Sequence, residues 1–279
     1  IGLGIPAEPL FRSRSYKNDT KLYEQALGSL DNTSTAVVVD PSTNDVYWTR
    51  CNETYGDVFK NGDVLLDNSQ NTYIYNLYWS TYRNKVYAAG YEKEGDKKYA
   101  VVWENGSSNH YMAPNFGNGK ESVAYDVIIV PENGNYTYYC GYANQTTSGT
   151  PRATIWKAGE VLYTIPADNS YAVSMDFYNG NVYTAGYVMS GGNKVVKVWK
   201  NDTELYTLTD ASANADVYKI KIDCGDVYVA GWGTSRNQFI WKNGEVLSDM
   251  SYGGATRGLD VNSTRSRSEE RRVGKECRS

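Results

Sequence analysis

Three short segments of the chain are near-copies of one another: "KVYAAGY" (85–91), "NVYTAGY" (181–187) and "DVYVAGW" (226–232). "YTYYCGY" (136–142) is a weaker fourth copy, and "DVYW" (45–48) opens a fifth. A second phrase follows each: "VVWENG" (101–106), "TIWKAG" (154–159), "KVWKND" (197–202) and "FIWKNGE" (239–245), with "DVFKNGD" (57–63) as a Phe version. "YKNDTKLY" (16–23) lies over "WKNDTELY" (199–206) and adds a sixth. The aromatics Tyr16, Phe59, Trp103, Trp156, Trp199 and Trp241 thus recur about every 45 residues. A period of that length constrains the fold more than any local propensity. Each unit is too small to bury its own apolar surface and must pack against its neighbours.

Each unit reads as four short strands, A to D. Strand A is typified by "YAVSMDFY" (171–178) and strand B by the "VYxAG" phrase. Strand C ends at the recurrent aromatic, and a "KNGE" or "KAGE" turn leads into strand D, as in "VLYTI" (161–165). Period-two alternation with Asn-Gly punctuation is the hairpin signal. Four strands per unit at this period predict an all-β fold, a β-propeller of four-stranded antiparallel blades. A β-solenoid is the rival, but its coils repeat at shorter periods. Five complete blades are expected from about residue 34 to 251, with a C–D hairpin from residues 1–31 before them. "ATRGLDV" (255–261) would be a lone strand A, giving about six blades in one domain over residues 1–266.

The bulk composition narrows the function classes. Net charge is −4, with a single His, which argues against nucleic acid as a partner. No apolar run is long enough to span a membrane, and no signal peptide is visible. Cys51, Cys140, Cys224 and Cys277 show no CxxC spacing, which argues against a zinc site. No G-x-S-x-G, H-E-x-x-H or P-loop occurs, and the metal-site and cofactor expectations are none. The 26 Tyr are the outlier, suited to half-buried strands and wet interfaces. Eight N-x-[ST] sequons, including those at Asn105 and Asn201, follow from the abundance of Asn and Thr.

The paired phrases resemble the "VYVAG…WKNG" propeller repeats of surface proteins from gut-type bacteria, over about residues 16–261. They are loosely similar to kelch repeats too, but lack kelch's paired glycine: Tyr91 follows Gly90, and Tyr187 follows Gly186. The resemblance implies a cell-surface or extracellular location and no particular activity. "RSEERRVGKECRS" (267–279) breaks the pattern and resembles the translation of a sequencing adapter. It is read as an artefactual or disordered tail.

Three sets of candidate residues follow. Asn76, Asp126, Asp176, Lys221 and Asp260 are placed at matching points of strand A, where they would line the channel of a propeller; solvated lining is the plainer reading. Tyr91, Tyr142, Tyr187 and Trp232 follow the glycine of strand B. They are expected at the start of the B–C loops, either binding a ligand or capping the space between blades. Trp79, Tyr82, Tyr111 and Phe116 are aromatics outside the repeat and candidate ligand contacts for that reason. His110, without a second His or Cys nearby, is read as a loop residue. The functional expectation is a monomeric, non-enzymatic binding or scaffold propeller that recognises protein or glycan through its B–C and D–A loops. The alternatives are a propeller enzyme acting on glycans, with no assigned catalytic residues, and a structural module of a larger surface protein.

Overall fold

The computed structural model describes residues 12–17, 20–26, 35–52, 55–68, 71–112, 121–131, 134–144, 149–233, 237–250 and 259. The first two strands, β1 (Arg12–Lys17) and β2 (Thr20–Ala26), pair as a two-stranded sheet among the described residues. Five four-stranded sheets follow, each a simple antiparallel meander in chain order. Blade 1 is β3 (Val37–Val39), β4 (Val46–Cys51), β5 (Gly56–Lys60) and β6 (Asp63–Asn68). Blade 2 is β7 (Thr72–Ser80), β8 (Lys85–Glu94), β9 (Lys97–Glu104) and β10 (Ser107–Met112). Blade 3 is β11 (Ser122–Val130), β12 (Tyr136–Asn144), β13 (Pro151–Lys157) and β14 (Glu160–Thr164). Blade 4 is β15 (Ser170–Tyr178), β16 (Asn181–Ser190), β17 (Asn193–Lys200) and β18 (Thr203–Thr207). Blade 5 is β19 (Asp216–Asp223), β20 (Asp226–Trp232), β21 (Gln238–Lys242) and β22 (Glu245–Met250). The chain forms two compact units: residues 1–113 with 123–136, and residues 114–122 with 137–279.

Within each unit the repeated residues account for the packing. In the first, Tyr47, Val58 and Leu66 of blade 1 meet Val86, Ala88, Val101 and Trp103 of blade 2. In the second, Tyr183, Ala185 and Val198 of blade 4 meet Val227, Val229 and Trp241 of blade 5 in the same pattern. One blade offers the strand B Tyr and strand C Val; the next offers its strand C Trp. Trp103, Trp156 and Trp199 are among the largest fully buried side chains. A buried aromatic of this size dominates the local energetics, which explains why strand C keeps an aromatic at this point in every blade.

The glycine of strand B is required by a close approach. A Cβ on Gly186 would lie 1.9 Å from the Tyr171 carbonyl oxygen, and one on Gly90 would meet Tyr73 O at the same distance. Blade 1 departs from this rule: its strand A is three residues long, and Arg50 occupies the glycine position. The Arg50 guanidinium pairs with Asp57 at 2.6 Å and lies over the Tyr55 and Phe59 rings. Cys51 and Cys140 are buried, the Cys51 thiol donating to the Ile74 carbonyl at 3.4 Å, whereas Cys224 is exposed.

Two β-bulges recur. In the C–D hairpins of blades 1, 3, 4 and 5, one residue of strand D has no partner opposite the aromatic of strand C, and it is always leucine: Leu65, Leu162, Leu205 and Leu247. The β1–β2 hairpin has the same irregularity beside Tyr16, which marks it as another C–D hairpin. A second bulge lies in strand A, where Tyr75, Val173 and Tyr218 fall outside the ladder. A bulge twists the strand and re-aims a side chain. The strand A bulges therefore set which side chains appear near the start of each blade.

Candidate functional site

The two ends of the blades differ in chemistry. At the turn end, A–B and C–D turns close each hairpin. The Asn of the C–D turn has a positive φ: +50° at Asn61, +51° at Asn105, +58° at Asn201 and +51° at Asn243. Each Asn Oδ1 accepts a hydrogen bond from strand B: from the N–H of Val46, Val86, Val182 and Val227 respectively. Each Asn N–H donates to the carbonyl of that same valine. Asn tolerates this backbone region better than other non-glycine residues, so a single residue makes the turn and clamps it to strand B. The preceding Lys lies over the strand B Tyr: Lys60 on Tyr47, Lys157 on Tyr138, Lys200 on Tyr183 and Lys242 on Tyr228, at 5.2–5.7 Å.

The charges at this end are largely matched internally. Lys60 pairs with Asp45 and Lys242 with Asp226, both at 2.8 Å. Blade 2 reverses the signs, with Lys85 on strand B and Glu104 on strand C. Glu104 also accepts from the Tyr87 hydroxyl, and Arg83 joins the group. Hydrogen bonds from Lys60 and then Asn61 hold the Asp45 carboxyl at about 2, from its ordinary 3.8.

The loop end, where strand B runs into strand C and strand D into strand A, carries clustered tyrosines. In the first unit, Tyr73 and the bulged Tyr75 from β7 meet at 4.7 Å between ring centroids. Tyr73 stacks on Tyr91 of β8 at 5.9 Å, and Tyr75 lies 6.2 Å from that same ring. Tyr125 of β11 meets Tyr75 edge-on at 4.7 Å. Tyr91 is buried, while Tyr73, Tyr75 and Tyr125 are half-buried. The Lys98 ammonium lies 4.9 Å from the centre of the Tyr91 ring. In the second unit, Tyr171 of β15 stacks on Tyr187 of β16 at 4.8 Å and meets Tyr142 of β12 edge-on at 5.1 Å. Lys194 lies over Tyr187 at 4.3 Å and pairs with Asp216 at 2.5 Å. Burial raises the Tyr187 and Tyr171 hydroxyls above their ordinary value, so both remain protonated donors at neutral pH.

The expected site residues fall into separate places. Tyr91, Tyr142 and Tyr187 are not at loop starts. Strand B runs on past them to Glu94, Asn144 and Ser190, and only Trp232 ends its strand. The ladder continues because the B–C hairpins pair nearly to their tips, as in Glu94 with Lys97 and Ser190 with Asn193. Trp79 and Tyr82 belong to the turn end, opposite the tyrosine clusters: Trp79 stacks on Tyr47, and Tyr82 is 61% exposed. Tyr111 and His110 lie in β10, whose side chains are outside the described set; Phe116 and Asp260 lie outside the described residues altogether.

The strand A polar residues do not share one register, contrary to expectation. Asp176 stands opposite Tyr183 and Lys221 opposite Tyr228, so those two match. Asn76 stands opposite Ala89, the place taken by Ser174 and Lys219 elsewhere. Blade 2 closes its A–B turn with four residues, 81–84, against two, 179–180, in blade 4, so counting from the turn misaligns the strands. These groups also have structural partners. The Asn76 amide donates to Asp126 Oδ1 at 2.5 Å, and Asp126 also accepts from Val127 N–H. Asp176 accepts from the N–H groups of Phe177 and of Ile222 in the next blade. They join neighbouring first strands to each other.

The residues that sequence reasoning missed are Tyr73, Tyr75, Tyr125, Tyr171 and Lys98. The signal was present as paired Tyr in "TYIYN" and Tyr125 in "VAYD", but alternation alone hides a bulge.

No protein-family model matches the chain, and no curated protein matches it. Solved structures do match. The WD40 β-propeller domain of Doa1 aligns with a TM-score of 0.54 and 17% identity, over 87% of this chain and 76% of that one. The Dos1 propeller aligns at 0.49 and 14% identity, over 80% of this chain and 59% of that one. A thermostable family-43 glycoside hydrolase aligns at 0.47 and 10% identity, over 86% and 98%. At such identities the likeness is one of fold, and fold alone assigns no activity.

Proposed function

We propose, from a fold that is a β-propeller built of four-stranded antiparallel blades, that the chain is a binding or scaffold module that carries out no chemistry and recognises protein or glycan at the loop end of its blades. The observation that carries this reading is the Tyr73–Tyr75–Tyr91–Tyr125 cluster. Core packing accounts for Tyr91, which is buried, but leaves the other three half-exposed. Tyr75 sits at a bulge that interrupts the strand pairing. Rigid tyrosines supply contact area at low entropic cost, together with hydroxyls for hydrogen bonding. The turn end offers less, because the Lys60–Asp45, Lys85–Glu104 and Lys242–Asp226 pairs and the turn Asn side chains are occupied in holding the hairpins.

Export or display at a cell surface belongs to the same proposal and rests on the resemblance to bacterial surface repeats. The reading is tested with the folded chain on a glycan array and in a pull-down, beside a Tyr75→Ala/Tyr125→Ala variant. Ligand capture by the parent chain and its loss in a variant that melts within a few degrees of the parent support the proposal. Blank results in both assays, or full capture by the variant, overturn it.

A further inference from the structure

The two tyrosine stations are built alike but differ in charge. In blade 4, Lys194 lies over Tyr187 and is neutralised by Asp216 from the first residue of β19. In blade 2, Lys98 lies over Tyr91 in the same arrangement, seven residues beyond its tyrosine as Lys194 is. The position matching Asp216 in the following blade is Val123, which is buried, so the carboxylate is missing. No other carboxylate among the described residues pairs with Lys98. The nearby acids of the hairpin are differently placed: Glu94 stands opposite Lys97, and Glu92 opposite Thr72 and Tyr99.

A second observation points the same way. Lys98 stands directly opposite Lys93 in the β8–β9 ladder, whereas Lys194 stands opposite the neutral Met189. Like charges directly opposite one another destabilise a strand pair. Side chains at 91, 93 and 98 share one face of these strands, because strand residues alternate. Lys98 therefore stands beside the tyrosines of the first unit, half-buried and without a counter-ion from the described residues. A partly desolvated ammonium gains most from an opposite charge at close range.

We infer that the tyrosine cluster of the first unit is a subsite for an acidic saccharide, whose carboxylate or sulfate meets Lys98 while its ring lies on the tyrosines. This rests on the binding reading above and names its ligand class. A sugar fits this surface because it offers a C–H face to aromatic rings and hydroxyls to phenol groups, and the anion answers the unmatched charge.

The test is calorimetric titration of the full chain with an oligogalacturonide, a sulfated galactan oligosaccharide, a neutral galacto-oligosaccharide of the same length, and polyglutamate. Lys98→Met, Lys194→Met and Tyr75→Ala/Tyr125→Ala are measured beside it, with Lys98→Gln as the substitute if Lys98→Met does not fold. The expected result is that at least one acidic saccharide binds about tenfold or more tightly than the neutral one. Raised salt should erase that preference. Lys98→Met should erase it too, Lys194→Met should keep it, and the double tyrosine variant should lose both ligands. The uronic and sulfated arms show which anion is preferred. Equal binding of acidic and neutral sugars, or a preference kept by Lys98→Met, overturns the acidic class and leaves the binding reading standing. Polyglutamate binding through Lys98 without saccharide binding overturns the sugar class. Blank titrations overturn this inference, and the binding reading falls with it only if the array and pull-down are blank as well.

Discussion

At the turn end of blade 5, Asn243 makes the turn, accepts from Val227 N–H and donates its amide to Asp226, while Lys242 pairs with that same carboxylate. At the loop end of blade 2, Tyr73, Tyr75, Tyr91 and Tyr125 touch one another, and Lys98 has a ring beneath it instead of a carboxylate. The first arrangement recurs from blade to blade with small changes; the second recurs only in part, in the Tyr171–Tyr187 stack of blade 4, where Asp216 pairs with Lys194. Repetition marks groups needed to close a hairpin or fill the space between blades. Departure from it marks groups that such packing leaves unassigned. Where the repeat is broken for packing reasons, the compensation is visible, as in the reversed Lys85–Glu104 pair. Where it is broken at the loop end, Val123 stands in place of an acid, and Lys98 has no paired carboxylate among the described residues.

Substitutions at the two ends should separate stability from binding. The largest loss is expected at the repeated core. Trp199→Ala should cost about 3–5 kcal/mol in chemical denaturation, because it empties a fully buried site. Gly186→Ala should be destabilising by several kcal/mol (~2 or more), since its Cβ would meet the Tyr171 carbonyl at 1.9 Å. If either variant unfolds at the parent midpoint, the account of the repeat is wrong.

Next in size are the turns. Asn201→Ala should cost about 1–2 kcal/mol, because it loses the bond to Val182 N–H and leaves alanine at positive φ. Blade 3 already has that defect: Ala158 has a φ of +50°, and its N–H reaches Thr137 O without a side-chain acceptor for Thr137 N–H. Ala158→Asn should therefore stabilise by about 1 kcal/mol, seen as a raised denaturation midpoint. A lowered midpoint would show that the Asn clamp does not transfer between blades.

Acid should weaken the turn end before neutral pH affects it. The folded Asp45 carboxyl, at about 2, lies below its unfolded value near 3.8, so its contribution is present above pH 3.8. That contribution is lost as pH falls from 3.8 through about 2, because over this range the unfolded chain binds a proton that the folded carboxyl does not yet take. Asp45→Asn should accordingly melt below the parent at pH 6, and the gap should close in melts taken toward pH 2.

The smallest stability effect, and the largest effect on recognition, belongs to the loop end. Asp216→Asn should shift the melting temperature little, since a partly exposed ion pair is worth about 0–1 kcal/mol. It would leave Lys194 over Tyr187 without its carboxylate, as Lys98 is among the described residues, and should raise the affinity of the chain for an acidic oligosaccharide. Unchanged affinity would mean that the paired acid is not what distinguishes the two stations.

The repeat made much of this fold legible. The "VYxAG" and "WKNG" phrases located strands B and C and the C–D turn of each blade, because glycine, Asn and Trp there answer local demands: a close approach, a positive φ and a buried volume. The same regularity misled at the loop end. Tyr91 and Tyr187 looked like loop residues because the glycine before them looked like the end of a strand, yet β8 and β16 continue through them. Asp176 and Asn76 looked equivalent because turn lengths and bulges cannot be counted from alternation.

By itself the sequence determined the four-stranded unit, its period and the side chains that fill the space between units, since these depend on residue type and spacing alone. Only the tertiary structure decided the rest. It placed Tyr75 at a bulge, joined Tyr125 from a different blade to it, and put Val123 where Asp216 stands elsewhere. The physical reason is that register and neighbourhood are properties of paired strands. A single bulged residue or a longer turn changes what meets what, with no change in the pattern along the chain.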